Sequence, residues 1–315
     1  MKPLETRSLR SANPHPVDTA LLMACLLLFS SLPSTLNAAG KSVTAPDAKR
    51  EKLAGDFEFT EGPASDSQGN VLFTDQPNDR ILKWSTDGQL TTFMKPCGRA
   101  NGLSFDSAGN LWACADDTNS LWRIEPEKKI TVVVKDYKGK LLNGPNDVWC
   151  RPAGGLYFTD PYYKRPYWKR GPKESPECVY FLPSEKGELR RVIEDLKQPN
   201  GIIGTPDSKT LYVADIGAGK TYRYQIQPDG ALKEKHLFGE MGSDGMTIDK
   251  DGNVYLTGKG VTVFDAAGQK IQEIPVPEKW TANVCFGGKD RQTLFITAST
   301  GFYSIKMRVT GTDSQ

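Results

Sequence analysis

Histidine is nearly absent from this chain of 315 residues, with only His15 and His236 present. His236 lies in the charged stretch Ala231-Leu232-Lys233-Glu234-Lys235-His236. A Ser-His-Asp triad therefore lacks a well-placed base. The same scarcity removes multi-histidine zinc and iron sites. Six cysteines occur with no C-x-x-C pair, which argues against a zinc-thiolate site. Neither a Walker sequence nor a Rossmann glycine fingerprint stands out. No sign of charge dominates: Lys and Arg number 40 against 38 Asp and Glu, a formal charge of +2, so nothing favours nucleic acid or a membrane surface as partner.

The first 40 residues differ in kind from the rest. Lys2, Arg7 and Arg10 precede an apolar run from Ala20 to Phe29, and Ala38 and Ala39 follow, which is the layout of a cleavable secretory signal. The run is shorter than the roughly 20 residues of a membrane span, so no span is expected in the mature chain. The expected layout is a signal peptide over 1–39, a linker over 40–50, one domain over 51–308 and a tail over 309–315, in an exported protein, periplasmic or secreted. Leu22-Met23-Ala24-Cys25 looks like a lipobox, but the apolar run continues past Cys25 where a true box would end it. Loss of the leader leaves Cys97, Cys114, Cys150, Cys178 and Cys285, an odd count with at least one free thiol.

What the chain does have is a repeat. Glu61-Gly62-Pro63, Asn101-Gly102-Leu103, Asn146-Asp147-Val148, Asn200-Gly201-Ile202, Asp244-Gly245-Met246 and Asn283-Val284-Cys285 each open a strand signal, at spacings of 40, 45, 54, 44 and 39 residues. After each comes a turn cluster such as Asp66-Ser67-Gln68-Gly69-Asn70, then a buried strand and a third strand. This period with β content predicts an all-β, six-bladed propeller of about four strands per blade. The last unit is one strand short. The segment Glu51 to Phe59 occupies the place in the repeat that would complete it, so an N-terminal strand is expected to close the last blade and remove an open edge.

Equivalent positions of a radial repeat form a ring, here two carboxylates and four amides. Hard oxygens of this kind suit one divalent cation, Ca²⁺ foremost, with Zn²⁺, Mn²⁺ or Mg²⁺ able to take the place. Glu61 and Asp244 carry the charge, and Asn146 and Asn200 each follow a proline; Asn101 and Asn283 suit substrate contact or strand capping equally. Such a cation would allow metal-assisted hydrolysis of a lactone or ester with a nearby carboxylate as general base. A second register, Asp75, Asp116, Asp160 and Asp215, falls 14 or 15 residues after its ring residue. These carboxylates are expected to hold the loops between second and third strands through backbone N–H groups, with Asp160 set apart by the loop that follows it. That loop, Pro161 to Pro172, combines Tyr162, Tyr163, Tyr167 and Trp168 with four basic residues and is a candidate cap over a pocket, with Tyr162 as a substrate contact.

With Gly144-Pro145-Asn146-Asp147, Pro199-Asn200-Gly201, Ser243-Asp244-Gly245-Met246 and Asn283-Val284-Cys285-Phe286-Gly287-Gly288 in this order, the chain resembles the SMP-30, gluconolactonase and LRE-like family over about residues 50–308. The resemblance implies a six-bladed propeller with one divalent metal held at Glu61, Asn146, Asn200 and Asp244. It also implies Asp244 as general base, and Arg99 and Asn101 facing the substrate. Gly144 stands where animal members carry arginine; Thr159-Asp160-Pro161-Tyr162 matches the bacterial gluconolactonase-like members. The implied activity is that of a carboxylic-ester hydrolase opening a small sugar lactone. A related propeller esterase or organophosphate hydrolase, and a non-enzymatic propeller with a structural Ca²⁺, remain as alternatives. The oligomeric state is open.

Overall fold

The computed structural model describes residues 42–312; the expected signal peptide lies outside the described residues. Six four-stranded antiparallel sheets follow one another along the chain as the blades of a propeller. Blade one runs Thr60–Ser65, Val71–Asp75, Arg80–Trp84 and Leu90–Met94. Blade two begins at Ala100–Phe105, blade three at Val148–Cys150, blade four at Pro199–Gly204, blade five at Met246–Ile248 and blade six at Thr281–Gly287. Burial falls from axis to rim. The first two strands of blade one are buried at every position, whereas Leu90–Met94 is exposed for its first three residues. Apolar runs thus form inner strands, and the alternating, charge-rich stretches form the outer ones.

The turn clusters have one mechanism. Asp66 Oδ1 accepts the N–H groups of Gln68 and Asn70 at 3.0 and 2.9 Å. Asp106 and Asp249 repeat this with the residues two and four further on. Such Asx geometry sets the hairpin between the first and second strands, and with it the register of each blade.

Blades pack face to face through apolar clusters. One joins Trp149, Tyr157 and Phe181 of blade three to Ile203, Leu211 and Tyr212 of blade four. At the seam Phe73 of blade one stacks on Phe302 of blade six with ring centroids 4.1 Å apart. The ring closes as expected: Glu51–Ala54 pairs antiparallel with Gly301–Lys306, Glu51 opposite Ser304 and Ala54 opposite Phe302. Ahead of this strand, buried Val43 is tied at its N–H to Gln272 Oε1 of blade five (2.9 Å) and at its carbonyl to Arg308 N–H (2.8 Å). Among the described residues the five cysteines are all buried and unpaired.

Blade three carries the largest excursion. Residues 161–177 leave the strand Leu156–Asp160 and return at Cys178–Leu182. Because this loop departs from the end of the blades at which the ring residues stand, it lies over the axis, and it defines the site.

Candidate active site

Each ring residue stands at or just before the start of the innermost strand of its blade, which brings most of them to one end of the channel. Glu61, Asn101, Asn146 and Asp244 line one cavity of about 230 Å³, with Phe59, Gln76, Tyr163, Arg165, Ile216 and Trp280 completing its wall. Asn200 stands against it: its Nδ2 donates to Tyr163 Oη and to Asp244 Oδ1, both at 2.8 Å. The other oxygen of Asp244 accepts the indole N–H of Trp280 at 2.5 Å.

Burial pushes Glu61 well above the usual carboxylate range, and the charges of Asp244 and Asp147 push it further. Burial likewise raises Asp244, to about 6, while Trp280, Asn200 and Arg165 hold it partly down. Two carboxylates facing one small cavity therefore oppose one another's ionisation.

The donor set fits a hard divalent cation. Asn200 Oδ1 is buried with no hydrogen-bond partner, which leaves an acceptor oxygen for a cation beside two carboxylates with excess negative potential. Among the described residues no three or more His, Cys, Asp or Glu are placed to hold a metal ion by themselves, so amide oxygens would have to complete the set, as they do in Ca²⁺ sites. Glu61, Asn146, Asn200 and Asp244 are the residues that would hold the ion.

Two residues expected to contact substrate, Arg99 and Tyr162, do not line the cavity, and Asn283 and His236 also lie outside it. Asn283 faces the channel below the cavity and donates to the Asp147 carboxylate at 3.3 Å. Arg99 does not line the cavity. Its N–H donates to Asp79 Oδ1 at 2.7 Å, its guanidinium donates to the Pro77 carbonyl and it lies 4.5 Å from the Tyr167 ring centroid. Tyr162 also points away, packed against Trp168 with centroids 5.8 Å apart, and its neighbour Tyr163 takes the inward position. His236 sits on the outermost strand of blade four, Leu232–Gly239.

In the second register, Asp75, Asp160 and Asp215 accept backbone N–H groups as expected, but chiefly from the segment that leads into their own blade; among the described residues the loop between second and third strands is held in this way only by Asp215, through Ala218 N–H at 3.2 Å. Asp116 departs from this. It accepts Arg165 Nε at 3.1 Å, the Tyr167 hydroxyl and, weakly, Gln76 Nε2 at 3.4 Å, while its carbonyl accepts the Trp168 indole at 2.7 Å. The loop that follows Asp160 is thus gripped by Asp116 of blade two. Sequence reasoning also missed Asp147, Arg165 and Trp280. For Asp147 a signal existed, as a second carboxylate-bearing residue directly after a ring position.

The chain matches the family described as the SMP-30/Gluconolactonase/LRE-like region over residues 59–300. It belongs to that family. It is 31% identical over 296 residues to the gluconolactonase of Zymomonas mobilis, covering 83% of this chain and 82% of that one. Among solved structures, a gluconolactonase from Xanthomonas campestris superposes with a TM-score of 0.79 at 29% identity, over 84% of this chain and 91% of that one. A regucalcin from Agrobacterium tumefaciens, described as calcium-binding, shares the fold with a TM-score of 0.68 at 20% identity, over 82% of this chain and 93% of that one.

Proposed function

We propose that this chain is an exported, metal-dependent lactone hydrolase that opens an aldonolactone such as glucono-1,5-lactone. The observation that carries this reading is the convergence of Glu61, Asp244, Asn101 and Asn146 on one cavity of about 230 Å³, walled by Phe59, Tyr163 and Trp280. That volume is below the roughly 300–1,000 Å³ of drug-sized pockets, which suits a single small ring. A lining that combines polar groups with aromatic side chains suits a polyhydroxylated ring.

A divalent cation, Ca²⁺ foremost, would polarise the lactone carbonyl when held by Glu61, Asn146, Asn200 and Asp244. The remaining work falls to the chain. Asp244, fixed between Asn200 and Trp280, accepts a proton from the attacking water as the water oxygen bonds to the carbonyl carbon. The same carboxyl then returns the proton to the ring oxygen as the C–O bond breaks, giving the open hydroxy acid. Asn101 and Asn146, whose side-chain amides bond to nothing among the described residues, are free to orient ring hydroxyls.

The test is a lactone panel at neutral pH, corrected for spontaneous opening, with and without chelator, using wild type and Asp244→Asn. The expected result is hydrolysis that chelation and Asp244→Asn each reduce by about 10²-fold or more, with folding retained by circular dichroism. Aryl ester and organophosphate arms test the related chemistries. Full activity of Asp244→Asn would remove it as the base; chelation that unfolds the protein would make any metal structural.

A further inference from the structure

The cation expected near the substrate, Arg99, is stacked on Tyr167 and outside the cavity wall. The cation that does line the cavity is Arg165, from the blade-three loop. Its orientation is over-determined. The Nε edge is tied to Asp116 Oδ2 at 3.1 Å, and the guanidinium carbon lies 5.3 Å from the Tyr163 ring centroid. Asp116 is itself almost fully buried, with a side-chain exposure of 4%, and it is held by Tyr167 and Gln76 as well. Yet the two terminal amino groups of Arg165 donate to nothing among the described residues. A guanidinium fastened along one edge and open along the other is a preorganised double donor, suited to a pair of neighbouring oxygens.

We propose that Arg165 is a specificity-determining, substrate-contacting residue whose free Nη pair donates to adjacent oxygens of a polyhydroxylated lactone, and that Asp116 is its positioning residue. This rests on the lactone hydrolase reading. Asp116 touches no substrate; it acts by fixing the guanidinium, while Gln76, another lining residue, is held by the same carboxylate. The arrangement gives the blade-three loop a chemical purpose beyond covering the axis. Removal of the fork should penalise a lactone that carries ring hydroxyls far more than one that carries none, because only the first loses partners.

The experiment compares glucono-1,5-lactone with δ-valerolactone, which has the same ring and no hydroxyls, using metal-loaded protein. The variants are Arg165→Gln, Arg165→Lys, Asp116→Asn and, as an exposed cation of the same loop, Lys164→Gln. For Arg165→Gln, KM for the gluconolactone should rise about tenfold or more, with kcat and the valerolactone kcat/KM changing about threefold at most. Asp116→Asn should show the same selective rise, smaller in size, and Arg165→Lys should fall between Arg165→Gln and wild type. Lys164→Gln should match wild type. Equal losses on both lactones, or a loss confined to kcat, would overturn the proposal, as would wild-type KM in Arg165→Gln. Should Arg165→Gln melt early because Asp116 is left unpaired, Arg165→Lys still retains the charge without the fork and decides the matter. If wild type opens neither lactone, the lactone reading itself fails and this inference fails with it.

Discussion

Affinity for a divalent cation should depend on pH in a manner set by two carboxylates. Asp244 is raised to about 6, and Glu61 is raised well above its usual value, in each case first by burial. A cation binds the deprotonated forms, so protons compete with it. Both groups lie above their unfolded values, so the metal-free native state holds protons that the unfolded chain releases. Cation affinity therefore rises with pH, and the part set by Asp244 is lost as pH falls through about 6. At pH 5, about one unit below the Asp244 midpoint, the loss from this group alone is about tenfold. Glu61 acts in the same direction, so tenfold is a lower bound.

The Trp280 indole sharpens the test. It donates to Asp244 Oδ2 at 2.5 Å and so favours the charged form. A hydrogen bond to a charged group is worth about 1.5–3 kcal/mol. Because Trp280 is 37% exposed, water can partly replace it and the lower end applies. Trp280→Phe should thus move the midpoint up by roughly one unit, at about 1.36 kcal/mol per unit. Calorimetric titration with Ca²⁺ from pH 5 to 7.5, in buffers of differing ionisation heat, reads both the affinity and the protons released. An affinity flat across that range, or a midpoint unmoved in Trp280→Phe, would refute the coupling. By the same sign, stability of the metal-free protein declines as pH rises from about 4 through 6, and the melting temperature gained from added Ca²⁺ should be larger at pH 7.5 than at pH 5.

Three further outcomes follow from the packing. Gly102→Ala would place a Cβ 2.3 Å from Asp147 Oδ1 and 2.5 Å from the Asn146 carbonyl; overpacking of this kind costs about 1–3 kcal/mol, and thermal denaturation should show the loss together with weakened cation binding. Deletion of residues 48–59 removes the strand Glu51–Ala54 and leaves Gly301–Lys306 with an open edge, so soluble expression should collapse; a soluble, fully active truncation would exclude this closure. Burial pushes the Cys97, Cys150, Cys178 and Cys285 thiols up to about 12, so a thiol reagent at pH 8 should find no reactive cysteine in the native, leader-free protein and five after denaturation, and reductant should leave the melting curve unchanged.

The blade count, the closure and the ring were legible because each is a property of the repeat. A fixed offset from each strand entry places a residue near the axis whatever its neighbours do, so Glu61, Asn101, Asn146 and Asp244 could be found by spacing alone. The cavity wall was not legible in this way. Which cation of the blade-three loop turns inward is decided by Asp116, 49 residues earlier in the chain, and the indole on Asp244 arrives from Trp280, 36 residues later. Tyr163 rather than Tyr162 faces the ring because the loop is anchored at Arg165, Tyr167 and Trp168, and successive side chains then fall on opposite sides. The four aspartates of the second register look alike in sequence. Three bond the backbone of their own blade, whereas the blade-two segment is held instead by Asp79, which accepts Cys97 and Arg99 N–H groups at 2.9 and 2.7 Å. This leaves Asp116 free to hold the loop.

Asp147 extends the argument one layer down. Asn146 lines the cavity, and the next residue, Asp147, lies in the channel beneath it, where it meets Asn283. Burial and the Asp244 charge raise its proton affinity well above the usual range, and Asp147 in turn raises Glu61. Three carboxylates thus act on one another through the channel, and Arg165 is the cation that lines the cavity with Glu61 and Asp244. Its charge is already opposed by Asp116. The excess of negative potential is therefore a property of the whole channel and not of two ligands alone. It favours a divalent cation at the cavity end of the channel, and it leaves the guanidinium fork of Arg165 to act mainly through its directional donors.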